Sequence, residues 1–115
     1  MNAYDKAIFA AKMADNKIAE DIEVYDVAEL TSMTEYFVIC TAGSESQMKA
    51  ISDEIEENFK KDGIEPLHIE GYRSSSRVLY DYGDVIIHIF NKESRMFYSL
   101  ERLWSDAKKI EINFD

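Results

Sequence analysis

The chain has 115 residues, 46% of them hydrophobic and 31% charged, with four Gly and one Pro. That suits one compact domain over residues 1–115 and argues against a two-domain enzyme or a collagenous, low-complexity or largely disordered chain. Thirteen Lys and Arg against 23 Asp and Glu leave a formal charge of −10, which disfavours broad nucleic-acid binding, where Lys and Arg supply affinity by displacing phosphate counterions; a basic protein partner suits the chain better.

From Asn2 to Ile18 the residues Ala3, Ala7, Ile8, Ala10, Ala11, Ala14 and Ile18 recur at three- and four-residue intervals, which predicts an amphipathic helix. Ile22, Val24 and Tyr25 to Val27 are β-branched or aromatic, and Tyr36 to Thr41 is almost continuously apolar. Two strands are expected there, the second internal and covered on both faces. Glu29 to Thr34, polar between them, reads as a loop or a short helical turn. Ser44-Glu45-Ser46-Gln47 is a capping box that opens a helix. Its buried stripe should be Met48, Ile51, Ile55 and Phe59, and Gly63 should mark its end. Leu67 to Glu70, Arg77 to Tyr82 and Val85 to Phe90 read as three further strands, the last near the middle of the sheet, with a polar turn from Gly71 to Ser76. Asn91 can cap a last helix with apolar positions Met96, Phe97, Leu100, Leu103 and Trp104. The alternation of Ile110, Ile112 and Phe114 suits a frayed edge strand. The expected fold is α/β of the α+β type, a mixed sheet of about five strands with flanking helices.

Few residues offer chemistry. The sole cysteine, Cys40, cannot form an intramolecular disulfide, and its apolar run reads as burial, which raises a thiol pKa. A reducing, cytoplasmic setting is expected, with no export or membrane signal in evidence. Asp81 and Asp84 flank a Tyr-Gly turn, where two carboxylates can hold a divalent ion. The plainer reading has Asp84 ordering the turn by backbone hydrogen bonds and Asp81 facing solvent or a partner. His88 could serve as a general base, but a lone His in an apolar strand reads as a hydrogen-bonded structural residue. Thr41-Ala42-Gly43-Ser44 joins a strand to a helix N-terminus, yet carries neither the P-loop nor the dinucleotide fingerprint.

Two segments carry a likeness: Asp21 to Ala42 and Glu70 to Trp104, and within them Ser32 to Phe37, Asp81-Tyr82-Gly83-Asp84-Val85, His88, and Phe97-Tyr98 to Leu103-Trp104. In these the chain resembles the ribosomal silencing factor family, also called the Iojap family. The resemblance implies a nucleotidyltransferase-like fold without the catalytic carboxylates, hence a non-enzyme with no cofactor and no metal. It implies a translation repressor that binds the large ribosomal subunit through its fourteenth protein and blocks joining of the small subunit, with little direct RNA contact. The partner-binding residues it implies are Gly71, Tyr72, Arg77, Val78, Leu79, Tyr80, Asp81 and Tyr82, where Arg77 stands at a position that is a tryptophan in most members. Alternation along this strand lets only one of the sets Arg77, Leu79, Asp81 and Val78, Tyr80, Tyr82 face a partner. A small metal-dependent nucleotidyltransferase using Asp81 and Asp84, an acidic adaptor for another basic protein, and a homodimer that hides the binding face remain as alternatives.

Overall fold

A computed structural model describes residues 1–72, 74, 76–98 and 105–114, with the backbone alone at 96–98. The elements are α1 (Ala3–Asn16), β1 (Glu20–Asp26), β2 (Tyr36–Ala42), α2 (Glu45–Lys61), β3 (His68–Glu70), β4 (Arg77–Asp81), β5 (Val85–Asn91), α3 (Lys92–Tyr98) and β6 (Lys108–Ile110). The six strands form one mixed sheet in the order β3-β4-β5-β2-β1-β6. The continuously apolar β2 and β5 lie side by side at its centre and run parallel, while the other pairs are antiparallel. The strand count exceeds the expected five because Lys108–Ile110 pairs with β1 as an edge strand. That strand begins before the Ile110, Ile112, Phe114 alternation and ends at its first member.

Burial on both faces explains why the central runs lack polar alternation. One face of the sheet presents Val24, Val38, Cys40, Val78, Tyr80, Val85, Ile87 and Ile89 to the alanines of α1 and the stripe of α2. The expected stripe of Met48, Ile51, Ile55 and Phe59 is buried in full. The opposite face gathers Tyr25, Phe37, Ile39, Ile86 and Phe90, and α3 packs there against β5 and β2. Arg95 of α3 donates to Thr41 and pairs with Glu23, which Lys109 and the Tyr25 hydroxyl also contact. Burial alone would raise the Glu23 carboxyl pKa, but the Tyr25 hydroxyl and the Lys109 and Arg95 cations hold it below its ordinary value. Asn91 caps α3 as expected, accepting from the Ser94 amide at 2.7 Å. The expected apolar positions Leu100, Leu103 and Trp104, and the side chains of Met96 and Phe97, lie outside the described residues.

The two long helices end alike but with different residues. After α2, Gly63 takes φ +74, and the amides of Gly63 and Ile64 return to the carbonyls of Lys60 and Phe59. After α1, Ile18 and Ala19 bond back to Asp15 and Ala14 in the same pattern, with Ile18 at φ +63. This is the left-handed C-terminal turn that glycine fits without penalty. The helix therefore stops at Asn16 and leaves Ile18 74% exposed, which corrects its assignment to the apolar stripe. A β-branched residue there costs about 1–2 kcal/mol. Ile18→Gly should therefore raise unfolding free energy by about 1 kcal/mol after the added unfolded-state entropy. Urea denaturation checks this, and a destabilised variant would show that Ile18 is not strained.

Candidate partner-binding face

Alternation on β4 sorts the residues expected to bind a partner. Val78, Tyr80 and Tyr82 are at most 6% exposed and lie under α2. The Tyr80 hydroxyl donates to Glu56 at 2.8 Å, and the Tyr82 ring lies 4.6 Å from that of Phe59. Burial, then the nearby Glu56 carboxylate, pushes both phenols well above their ordinary pKa. These three support the face from beneath. Arg77, Leu79 and Asp81 point the other way and are half-buried.

β3 completes that surface. His68 and Glu70 stand opposite Asp81 and Leu79, Arg77 lies 3.6 Å from Glu70, and His68 Nε2 lies 3.5 Å from the same carboxylate. Sequence reasoning missed His68 and Glu70. The available signal was antiparallel alternation, which puts them on the Arg77 side of the hairpin. Gly71 starts the connection with φ +69, and a Cβ placed there would meet the Arg77 carbonyl oxygen at 2.3 Å. Tyr72 is set apart from the other candidates. Its hydroxyl donates to Asp53 of α2 at 2.9 Å, and Lys49 sits 5.8 Å from its ring centroid.

In the turn after β4, Asp81 takes the ordering role expected of Asp84, and Asp84 is drawn to α1 instead. Asp81 Oδ1 accepts the Gly83 amide at 2.7 Å and orders the turn, whereas Asp84 pairs with Lys6 of α1 at 3.1 Å. Each carboxylate is committed to a separate partner, and among the described residues no group of three His, Cys, Asp or Glu is placed to hold a metal ion. The strand before the turn also ends one residue earlier than expected, because the Tyr82 amide donates to the Val85 carbonyl. At its other neighbour, Leu67 precedes β3 instead of joining it and is 77% exposed.

His88, on β5 directly opposite Leu79, is packed between aromatic rings. It stacks on Phe90 at 5.7 Å and lies 5.3 Å from Phe37. Its Nδ1 has no hydrogen-bond partner among the described residues, which corrects the expectation of a hydrogen-bonded histidine. Burial, with the Arg77 guanidinium adding repulsion, lowers its pKa to about 4. Cys40 is fully buried, and its thiol is pushed up to about 12, so it carries no nucleophilic role. At the β2–α2 turn, Ser44 accepts the Gln47 amide and Gln47 Oε1 accepts the Gly43 amide. Gln47 Nε2 then donates to the carbonyls of Lys17 and Ile18. The capping box thus ties α2 to the end of α1 and occupies amides that a phosphate would need.

Residues 1–115 match the family model described as "Ribosomal silencing factor during starvation". The chain is 38% identical over 114 residues to "Ribosomal silencing factor RsfS" of Bacillus subtilis, spanning 99% of this chain and 97% of that one. It is 37% identical over 109 residues to "Protein Iojap, chloroplastic" of Zea mays, spanning 95% of this chain and 47% of that one. A crystal structure of a Chromobacterium violaceum protein superposes with a TM-score of 0.88 at 28% identity, covering 97% of this chain and 92% of that one. Another, from Bacillus halodurans, gives 0.79 at 34% identity, covering 95% and 96%.

Proposed function

Because the chain belongs to the ribosomal silencing factor family, we propose that it is a non-enzymatic translation repressor that binds the large ribosomal subunit in the cytoplasm and blocks joining of the small subunit. The match over residues 1–115 carries this reading. In it, the fourteenth large-subunit protein meets the face made by Arg77, Leu79 and Asp81, with Gly71 shaping the approach and Val78, Tyr80 and Tyr82 bracing the strand. Tyr72 lies at the rim. Arg77 replaces an aromatic anchor with an aliphatic stem and a planar donor group, and both can lie along a protein surface.

The mechanism needs no covalent step. A domain occupying a patch of about 800 Å², where the small subunit must dock, excludes it by volume. The charge of −10 disfavours ribosomal RNA and admits contact where a basic protein is exposed, so electrostatics selects the site more than it strengthens it. No helix among the described residues is long and apolar enough to cross a membrane.

Sucrose-gradient sedimentation with purified subunits tests this. The protein should co-migrate with large subunits and deplete joined ribosomes. Leu79→Ala should weaken binding about tenfold or more, as loss of an interface anchor does. Asp81→Asn should weaken it while its amide oxygen still accepts from Gly83, which isolates the charge from the turn. Wild-type binding in both variants would move the interface off β4, and failure of the parent protein to co-migrate would remove the ribosomal reading.

A further inference from the structure

The two parallel strands at the centre of the sheet send the chain to opposite sides. After β2 it enters α2, whose stripe is buried against one face, and after β5 it enters α3 on the other. Ala42 and Asn91, the last residues of these strands, lie side by side. Where neighbouring parallel strands of an open sheet part in this way, the crevice outside their carboxyl ends is the place where ligands bind. An open cavity of about 860 Å³ lies at that edge, within the size of small-molecule sites, roughly 300–1,000 Å³. Its floor is the buried Met48, and its walls are Glu45, Ser46 and Lys49 of α2 with Tyr72 and Ser74 of the β3–β4 connection. The Asn91 amide donates to the Ser76 carbonyl at 2.9 Å, which holds that connection against the end of β5.

The groups around the cavity select among ligands. Tyr72 offers an aromatic ring that is 41% exposed yet held in place, since its hydroxyl donates to Asp53 at 2.9 Å and Lys49 covers the ring from 5.8 Å. A flat base packs on such a platform. Glu45 makes no ion pair among the described residues, so its carboxylate is available to accept from neighbouring hydroxyls, as acidic residues do with ribose in dinucleotide sites. The exposed Ser46 hydroxyl beside it can donate or accept. Charge turns phosphate away. Lys49 is paired with Asp53 at 3.2 Å, Glu45 leaves the wall net negative, and the Gly43 and Gln47 amides are taken by the helix cap.

We infer that this cavity binds an uncharged nucleoside, with its base against Tyr72 and its ribose hydroxyls on Glu45. The inference goes beyond the ribosomal reading and does not depend on it. The connection that walls the cavity also leads into β4: Ser74 Oγ accepts the Ser76 and Arg77 amides at 3.0 and 3.4 Å, so an occupant fixes the approach to the proposed partner face.

Titration of the isotope-labelled protein with adenosine, followed by its amide resonances, tests the inference without ribosomes, so its failure is separate from failure of the ribosomal reading. The amides of Glu45, Ser46, Tyr72 and Ser74 should shift and saturate below about 5 mM. Deoxyadenosine lacking the ribose hydroxyl next to the base should bind about tenfold more weakly, as loss of a hydrogen bond to a charged group does, and adenosine monophosphate should bind more weakly than adenosine. Tyr72→Ala should lose about tenfold in affinity, whereas Tyr72→Phe, which keeps the ring, should bind like the parent. Glu45→Ala should remove the preference for adenosine over its deoxy form. The same spectra show that each variant is folded. Absence of saturable shifts, shifts confined to other residues, tighter binding of the monophosphate, equal binding of ribose alone, or parental binding by both Tyr72→Ala and Glu45→Ala would overturn it.

Discussion

Acidification from pH 6.5 to about 4 should cost the protein about 3 kcal/mol through His88 alone. In the unfolded chain the imidazole takes a proton near pH 6.5, whereas in the fold it stays neutral down to about 4, because burial between Phe37 and Phe90 penalises the charged ring and Arg77 repels it. The unfolded state therefore binds more protons throughout that window. This contribution to stability is intact above pH 6.5, is lost progressively as the pH falls, and is fully lost below about 4. His88→Phe keeps a flat ring in the aromatic stack and removes the titration. Urea denaturation of both proteins at pH 7, 5.5 and 4.5 isolates the effect, since the carboxylates titrate in both and cancel in the difference. A difference that does not change with pH would show that His88 is not held neutral. Leu79 lies opposite His88, so loosening here reaches the proposed partner face.

Gly71→Ala should be the most damaging small change at that face. The residue sits at φ +69, and the added methyl would lie 2.3 Å from the Arg77 carbonyl oxygen, a backbone atom that cannot rotate away. Strain of this kind costs about 1–3 kcal/mol before any displacement, and relief requires moving the start of β4. The Ser74 amide bond to the Gly71 carbonyl would shift with it. We expect a lower denaturation midpoint together with weakened ribosome association. Gly63→Ala is the control: it also has a positive φ, at +74, but nothing lies within 4 Å of its added Cβ. It should lose stability with ribosome association kept. Equal ribosome binding by Gly71→Ala and the parent protein would show that the β3–β4 connection does not shape the interface.

Legibility of the fold in the sequence followed the range of the interactions. The start of α2 at Ser44 and its stop before Gly63 were readable because a cap and a left-handed turn are decided within a few residues. The central place of β2 and β5 was readable because a strand covered on both faces must be apolar throughout. Ile18 misled because its apolar side chain continues the helical spacing while its backbone takes a role usually given to glycine. The short β6 was hidden by its two lysines, one of which is drawn to Glu23.

The candidate site was less legible. Val78, Tyr80 and Tyr82 are apolar or aromatic, and so is Leu79 on the opposite side, so composition alone could not tell the supporting set from the exposed one. Burial under α2 decides it. The turn-ordering role fell to Asp81 and not Asp84 for a similar reason: the partner of Asp84 is Lys6, at the other end of the chain, and local sequence carries no trace of it. His68 and Glu70 join the face only through pairing across the hairpin.

The parallel pairing of β2 with β5 has a consequence for synthesis. Tyr36 lies beside Val85, and Ala42 beside Asn91, so the centre of the sheet joins the first half of the chain to its last third. While the chain is being made, α1, β1, β2 and α2 emerge with one side of β2 still lacking its neighbour, and the alanines of α1 have only part of their seat. Non-local pairing of this kind is slow, because a long loop must close before any contact rewards it. The nascent chain should therefore stay protease-sensitive until Asn91 has left the exit tunnel and then gain protection in one step. Chains truncated before Val85 should leave the apolar flank of β2 open and aggregate.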